Sequence, residues 1–281
     1  MYEAYYGFRE KPFSIIPDPD FLYFSAKHRM AFDLLEYGLI NQAGFSVITG
    51  EIGTGKTTLI RHLLTQLGPD INVGLISNIH QSFGELLQQI LFAFNLEYRG
   101  KEKVEMFHDF LDFLVRQYAH NKRTVLIVDE AQNLPAETLE ELRMLSNVNA
   151  DKAQLLQVIL IGQAGLRDTL RLPNMEQFAQ RIAVDYHLAP LDQGETRTYI
   201  CHRIGIAGGD DPALFDDAAC AAVFQFSGGV PRLINLLCDT ALVYGFAEQK
   251  RKIDAQLVRD VAADKQQSGI SPLWEKSAAA S

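Results

Sequence analysis

An α/β fold on a five-stranded parallel sheet, followed by a small all-helical region, is predicted for this chain of 281 residues. Three observations carry the prediction. Short apolar, β-branched runs recur between longer segments of helical periodicity. One of those runs opens directly into a glycine-rich loop and a helix. After Pro190 the strand signal stops and only helical patterning continues.

The runs are FSVIT (45–49), NVGLIS (72–77), TVLIVD (124–129) and LQVILIG (156–162), with a weaker fifth, AVDYHLAPL (183–191). Near-continuous apolar strands alternating with helices indicate a parallel sheet covered on both faces. QSFGELLQQILFAF (81–94) and VEMFHDFLDFLVRQYA (104–119) place apolar residues three and four apart, which predicts helices packed on that sheet. Beyond Pro190, four further helices are expected within 194–206, 216–227, 231–249 and 254–265. Asp216, Asp217 and Asp254 are the candidate caps, and Pro231 suits a first turn. The expected organisation is an extended arm over 1–30, an α/β domain over 31–191, a helical lid over 192–266 and a frayed tail over 267–281. The arm is dense in aromatics and should pack, because so many rings would not stay in water. Trp274 in the tail reads as incidental rather than as an anchor.

Composition narrows the class. At 47% hydrophobic and 22% charged residues the chain reads as an ordinary soluble protein. The formal net charge of −9 argues against a broad phosphate-binding surface, so nucleic acid is not the expected partner. Cys201, Cys220 and Cys238 are odd in number and lack metal-ligand spacing, which predicts buried thiols in a reducing compartment and no metal–cysteine site. The N-terminus lacks a signal-peptide pattern and no apolar run reaches ~20 residues, so a cytoplasmic protein is expected.

The loop is the stretch Gly50, Glu51, Ile52, Gly53, Thr54, Gly55, Lys56, Thr57 and Thr58, whose first eight residues fit G-x-x-x-x-G-K-[ST]. Glycines are needed because backbone N–H groups must face phosphates with no side chain between, and a following helix adds aligned donors. Lys56 is expected to reach the β- and γ-phosphates, and the Thr57 hydroxyl to ligate Mg²⁺. TVLIVDEAQ ends a buried strand in two acids at the edge where ligands bind in open α/β sheets. Asp129 would hold Mg²⁺, and Glu130 would orient and deprotonate the attacking water. LQVILIG ends in Gln163; were its strand to lie between the other two, that amide could touch the γ-phosphate or the water. Arg181 and Arg232 are candidates to meet charge developing on the γ-phosphate. A guanidinium in that role is worth on the order of 10³–10⁵ in rate.

YGFREKPFSIIPDPDFLYFSAKH, GEIGTGKTT, VDEAQNL, LIGQ, AQRI and GGVPRLINLLCD occur in that order. On these six motifs, across residues 1 to about 265, the chain resembles the AAA+ ATPases and closely resembles their ExeA-like branch, general secretion pathway protein A. The resemblance implies that Gly50–Thr58 is Walker A, Asp129 and Glu130 Walker B, and Gln163 sensor 1. It implies that Arg181 is the finger acting on a neighbouring subunit, with Arg167 and Arg171 as alternatives, and that Arg232 is sensor 2. ATP and Mg²⁺ are the implied cofactors, and the arm would pack near the adenine. The implied assembly is a head-to-tail homo-oligomer, a ring or a helix. ExeA-like proteins commonly continue into a membrane span and a peptidoglycan-binding region; neither is read here, so wall anchoring is not expected. Among shorter relatives the chain looks like the secretion ATPase of exosortase (PEP-CTERM) and exopolysaccharide loci. Envelope secretion or polysaccharide machinery, reached at the inner membrane through a partner, is therefore the expected setting. The alternatives are a DNA-bound regulator of the transposition and initiator type and an ATP-gated scaffold.

Overall fold

The computed structural model describes residues 1–16, 18–77, 85–150, 153–209, 211 and 213–267. The chain divides into two compact units. One comprises Met1–Lys27, Glu51–Thr58 and Ala189–Ser281; the other comprises His28–Gly50 and Leu59–Leu188.

The second of these units is built on the sheet. Its strands are β1 (Phe45–Gly50), β2 (Ile71–Ile76), β3 (Arg123–Val128), β6 (Leu156–Gly162) and β7 (Ile182–Leu188). A two-stranded antiparallel hairpin, β4 (Asn149–Ala150) with β5 (Ala153–Gln154), stands apart from them. The order in the sheet is β2-β3-β6-β1-β7, all parallel. Burial follows that order. Every residue of β1 and β6 is buried, and all but the first of β3, whereas the edge strands β2 and β7 bury only part of theirs. A strand flanked on both sides and covered on both faces uses mostly apolar residues, which is why the three central runs stand out in the sequence despite the buried Ser46, Thr49, Thr124 and Gln157. The faces are covered by α2 (Ala26–Ile40), α3 (Lys56–Gln66), α4 (Leu86–Ala93), α5 (Lys103–Ala119), α6 (Ala136–Leu145), α7 (Ala164–Leu170) and α8 (Glu176–Ala179). Phe45, Phe110, Phe178 and Leu160 lie in one core with the inner faces of α4 and α5. Helix α4 starts later than the periodicity suggested, and residues 81–84 of that expectation lie outside the described residues.

The other unit is helical: α9 (Gln193–Ile206), α10 (Asp217–Ser227), α11 (Pro231–Ala247) and α12 (Ala255–Gln267). Asp192, Asp216 and Asp254 accept the backbone N–H three residues on, at 2.8, 2.6 and 2.8 Å, so each satisfies a donor that the helix start leaves open. Pro231 occupies the first turn of α11, where its missing N–H costs nothing. The first 27 residues are not extended throughout: α1 (Glu3–Tyr6) closes on Gly7, and a 3-10 turn runs over Pro19–Phe21. Tyr2, Phe8, Phe13 and Phe21 are buried in one core with Ile200, Leu237, Cys238 and Val258. At about 1.5–3 kcal/mol for each large apolar side chain, these four rings are a main source of this unit's stability. Polar contacts fix the path. Arg203 donates from Nε to the Pro12 carbonyl at 2.6 Å and from Nη2 to the Ser14 carbonyl at 3.1 Å, with its guanidinium 4.5 Å over the Phe21 ring. The Tyr2 hydroxyl donates to Asp239. Cys220 and Cys238 are buried and Cys201 half-buried, all as free thiols; burial raises Cys220 to about 12 and Cys238 well above the usual thiol range. No helix among the described residues is long and apolar enough to cross a membrane. Residues 268–281, with Trp274, lie outside the described residues.

Candidate functional site

In the helical unit, the segment Glu51–Thr58 is the glycine-rich loop and the first turn of α3. Gly53 and Gly55 take left-handed backbone angles, φ +83° and +97°, that a side chain would oppose. These turns are what allow successive N–H groups to face one point. Lys56 and Thr54 are buried within the loop. Lys56 Nζ donates to the Glu51 carbonyl at 2.8 Å, and the Thr54 hydroxyl donates to the same oxygen at 2.9 Å. The loop is therefore closed on itself around one acceptor. Arg232, exposed in the first turn of α11, meets it: its backbone N–H donates to the Gly53 carbonyl at 3.3 Å. A Cβ on Gly53 would lie 2.6 Å from the Arg232 Cβ and 3.2 Å from Val230.

In the sheet unit, the carboxyl ends of β3 and β6 gather the second set. Because β6 lies between β1 and β3, Gln163 follows a strand that directly neighbours the one ending at Val128. Asp129 is buried; its N–H donates to the Ile76 carbonyl at 2.8 Å and its Oδ1 accepts the Glu130 N–H at 2.9 Å. Glu130 itself sits in the left-handed region, φ 55°, ψ 36°, at the start of a 3-10 turn over Ala131–Asn133. A non-glycine residue there carries strain of order 1–3 kcal/mol, and such positions cluster where a side chain must be aimed. Its carboxylate is held by two amides: Oε2 accepts from Gln132 Nε2 at 2.6 Å and from Gln163 Nε2 at 3.2 Å. Gln132 returns the link, its Oε1 accepting the backbone N–H of Gln163 at 2.9 Å. Local spacing in the sequence gives Gln132 no role. It lies two residues past the acids, and only the 3-10 turn brings its side chain back to them.

Arg181 follows α8, just before β7, and is exposed, with no ion pair to a described residue. Arg171 is likewise exposed, while Arg167 is half-buried in α7. His187 on β7 bonds the Thr49 hydroxyl of β1 at 3.1 Å, tying the strand that feeds the loop to its neighbour.

Each unit carries a group suited to a magnesium nucleotide. The hydroxyl of Thr57 in one, and the buried carboxylate of Asp129 in the other, are each hard oxygen donors of the kind Mg²⁺ takes. The two left-handed glycines leave the loop open to a close backbone approach. Among the described residues there is no group of three or more His, Cys, Asp or Glu that could hold a metal ion.

A family model described as an AAA domain matches residues 40–170. General secretion pathway protein A of Aeromonas hydrophila is 43% identical over 254 residues, covering 90% of this chain and 46% of that protein. The chain thus spans about half the length of this curated relative. Among solved structures, the ORC2 protein of Aeropyrum pernix in its ADPNP–ADP complexes superposes with a TM-score of 0.65 at 19% identity, over 90% of this chain and 71% of that one. The Cdc6p protein of Pyrobaculum aerophilum gives 0.67 at 16% identity, over 90% and 70%. At these identities the structural likeness speaks to the fold.

Proposed function

The chain belongs to the AAA+ ATPase family, and on that premise we propose that it is a Mg²⁺-dependent ATPase that assembles with copies of itself to support secretion across the envelope. In this reading residues 31–191 form the ATPase domain, 192–266 its lid and 1–30 an arm against the adenine, in a cytoplasmic protein. Gly50–Thr58 binds the phosphates through backbone N–H groups, with Lys56 supplying the positive charge. Thr57 and Asp129 would hold Mg²⁺, which when bound would neutralise charge on the phosphate oxygens.

The observation that carries hydrolysis, rather than binding alone, is the carboxylate of Glu130. It stands at the carboxyl edge of the sheet with one oxygen taken by two amides, and Oε1 receives no hydrogen bond from a described residue. A base so held can take the proton of a water while Gln163 orients that water or the γ-phosphate. Arg232 meets the γ-phosphate of its own subunit, and Arg181 completes a neighbour's site. Because that contact is head-to-tail, the assembly is a ring or a helix. The closeness to general secretion pathway protein A supports a role in export, and exopolysaccharide secretion is the specific setting proposed.

Glu130→Gln tests the reading. The variant should bind ATP with near-normal affinity, lose at least a hundredfold in turnover, and accumulate as the nucleotide-bound oligomer. Full turnover in that variant would remove Glu130 from the chemistry. An ATP-dependent pull-down from the protein's own membranes tests the setting. Recovery of DNA in a salt-sensitive complex instead would favour a regulator, against the net charge of −9.

A further inference from the structure

We propose that Gln132 is the positioning residue of the hydrolytic step: it turns the Glu130 carboxylate toward water and couples that orientation to Gln163. The inference rests on the reading of Glu130 as the base and goes beyond it, since neither the phosphate-loop pattern nor the acidic pair calls for an amide at this position.

The two ends of the Gln132 amide do opposite jobs. Nε2 donates to Glu130 Oε2 at 2.6 Å, while Oε1 accepts the Gln163 N–H at 2.9 Å. A carboxylate at 132 would have nothing to donate to Glu130, and an apolar residue would serve neither end. Only an amide of this length bridges a carboxylate to a backbone N–H with both polarities correct. The main-chain anchor also fixes which way round the amide lies. With Oε1 committed to the N–H, Nε2 must face Glu130.

The surroundings make room for it. A Cβ on Gly162 would lie 3.0 Å from Gln132 Oε1 and 3.0 Å from Leu166 Cδ2, so the last residue of β6 must be small for the amide to reach the strand end. The base is otherwise poorly constrained. Glu130 hangs from a left-handed turn, and its other side-chain partner is Gln163 Nε2, at the longer distance of 3.2 Å. When the Gln163 side chain turns to a phosphate or a water, Gln132 still holds Oε2 and leaves Oε1 directed outward. Because the same Gln132 is bonded to the Gln163 backbone, a displacement of the β6 tip moves the base as well. The group that touches substrate and the group that takes the proton are thereby linked through one side chain.

The test compares Gln132→Met, which keeps the length and bulk but neither hydrogen bond, with wild type and with Glu130→Gln. Steady-state turnover, the Kd for a fluorescent ATP analogue and the thermal midpoint are read on the same preparations. The expected result is a 10- to 100-fold fall in kcat for Gln132→Met, with nucleotide Kd within about threefold of wild type. In the Glu130→Gln background the same substitution should cost nothing further, because groups that act as a unit are not additive. The proposal is overturned if Gln132→Met turns over within twofold of wild type. It is equally overturned if nucleotide binding and turnover fall together, or if the loss is undiminished in the Glu130→Gln background. Should Gln132→Met fail to fold, Gly162→Ala displaces the amide without altering it and should show the same split; unchanged turnover there would overturn the proposal. Were Glu130→Gln itself fully active, the assignment of the base would fail instead, and the two failures are told apart by that control.

Discussion

The backbone N–H of Arg232 donates to the carbonyl of Gly53 at 3.3 Å, so the first turn of α11 is bonded to the middle of the phosphate loop. Gly53 is doubly constrained there. Its φ of +83° disfavours a side chain, and any Cβ would meet Arg232 at 2.6 Å. Gly53→Ala should therefore cost about 1–3 kcal/mol of stability from the backbone angle alone. It should weaken nucleotide binding more than tenfold, because the loop must shift away from α11. Thermal melts and titration with a fluorescent nucleotide separate the two effects. Arg232→Ala keeps the N–H and should leave the loop intact, so turnover falls while binding changes little.

Lys56→Ala should abolish measurable ATP binding. In the structure the ammonium is docked on the Glu51 carbonyl, and its loss removes both a charge for the phosphates and a tie that closes the loop. Calorimetric titration checks this; retained micromolar binding would mean that the backbone cradle suffices.

Arg181 is expected to serve a neighbouring subunit. Arg181→Ala should bind ATP normally and lose on the order of 10³-fold in turnover, at the lower end of what a guanidinium supplies. Mixing it with Glu130→Gln offers a sharper measurement. Each variant keeps what the other lacks, so mixed assemblies should regain activity that neither shows alone. No recovery on mixing, with both proteins still assembling, would send the search to Arg171 and Arg167.

Acid should weaken the helical unit through His202. Burial lowers its pKa, a backbone hydrogen bond with Leu22 partly offsets this, and Nε2 is buried without a partner. The folded protein therefore holds the ring neutral while the unfolded chain takes a proton near pH 6.5. Stability is complete above that value and is lost as pH falls through the depressed folded pKa. Urea unfolding at pH 7.5 and 5.5 should show a larger acid loss for wild type than for His202→Phe.

Burying Arg203 under the arm makes it a further target. Arg203→Met should loosen Pro12 and Ser14, because two backbone carbonyls lose charged donors at 2.6 and 3.1 Å. About 2–4 kcal/mol is expected, since such bonds are worth roughly 1.5–3 each and part of the stem's packing survives. Proteolytic cleavage near the N-terminus would report it.

What was legible in the sequence follows from where each residue lies. β1, β3 and β6 were plain because a strand covered on both faces is almost wholly apolar, and β7 read weakly because it is an edge. The caps at Asp216 and Asp254 were legible because a cap is a local event. The hairpin β4–β5 was not, since two strands of two residues carry no period. Gln132 lies inside VDEAQNL, but nothing local marks it for a role. Its significance depends on a left-handed turn at Glu130 and on the ordering of β6 beside β3, and neither is written in local spacing.

The core that joins Tyr2, Phe8, Phe13 and Phe21 to helices near the other end of the chain also sets an order of events during synthesis. These aromatics leave the ribosome before their partners, which run from Leu191 to Ala262. At 5–20 residues per second, the about 170 residues between Phe21 and Leu191 take on the order of 10–30 s. The sheet unit has all its residues by then and can fold, while a run of exposed rings waits for company. The nascent arm thus stays exposed until those helices are made, and the helical unit becomes native after the sheet unit can.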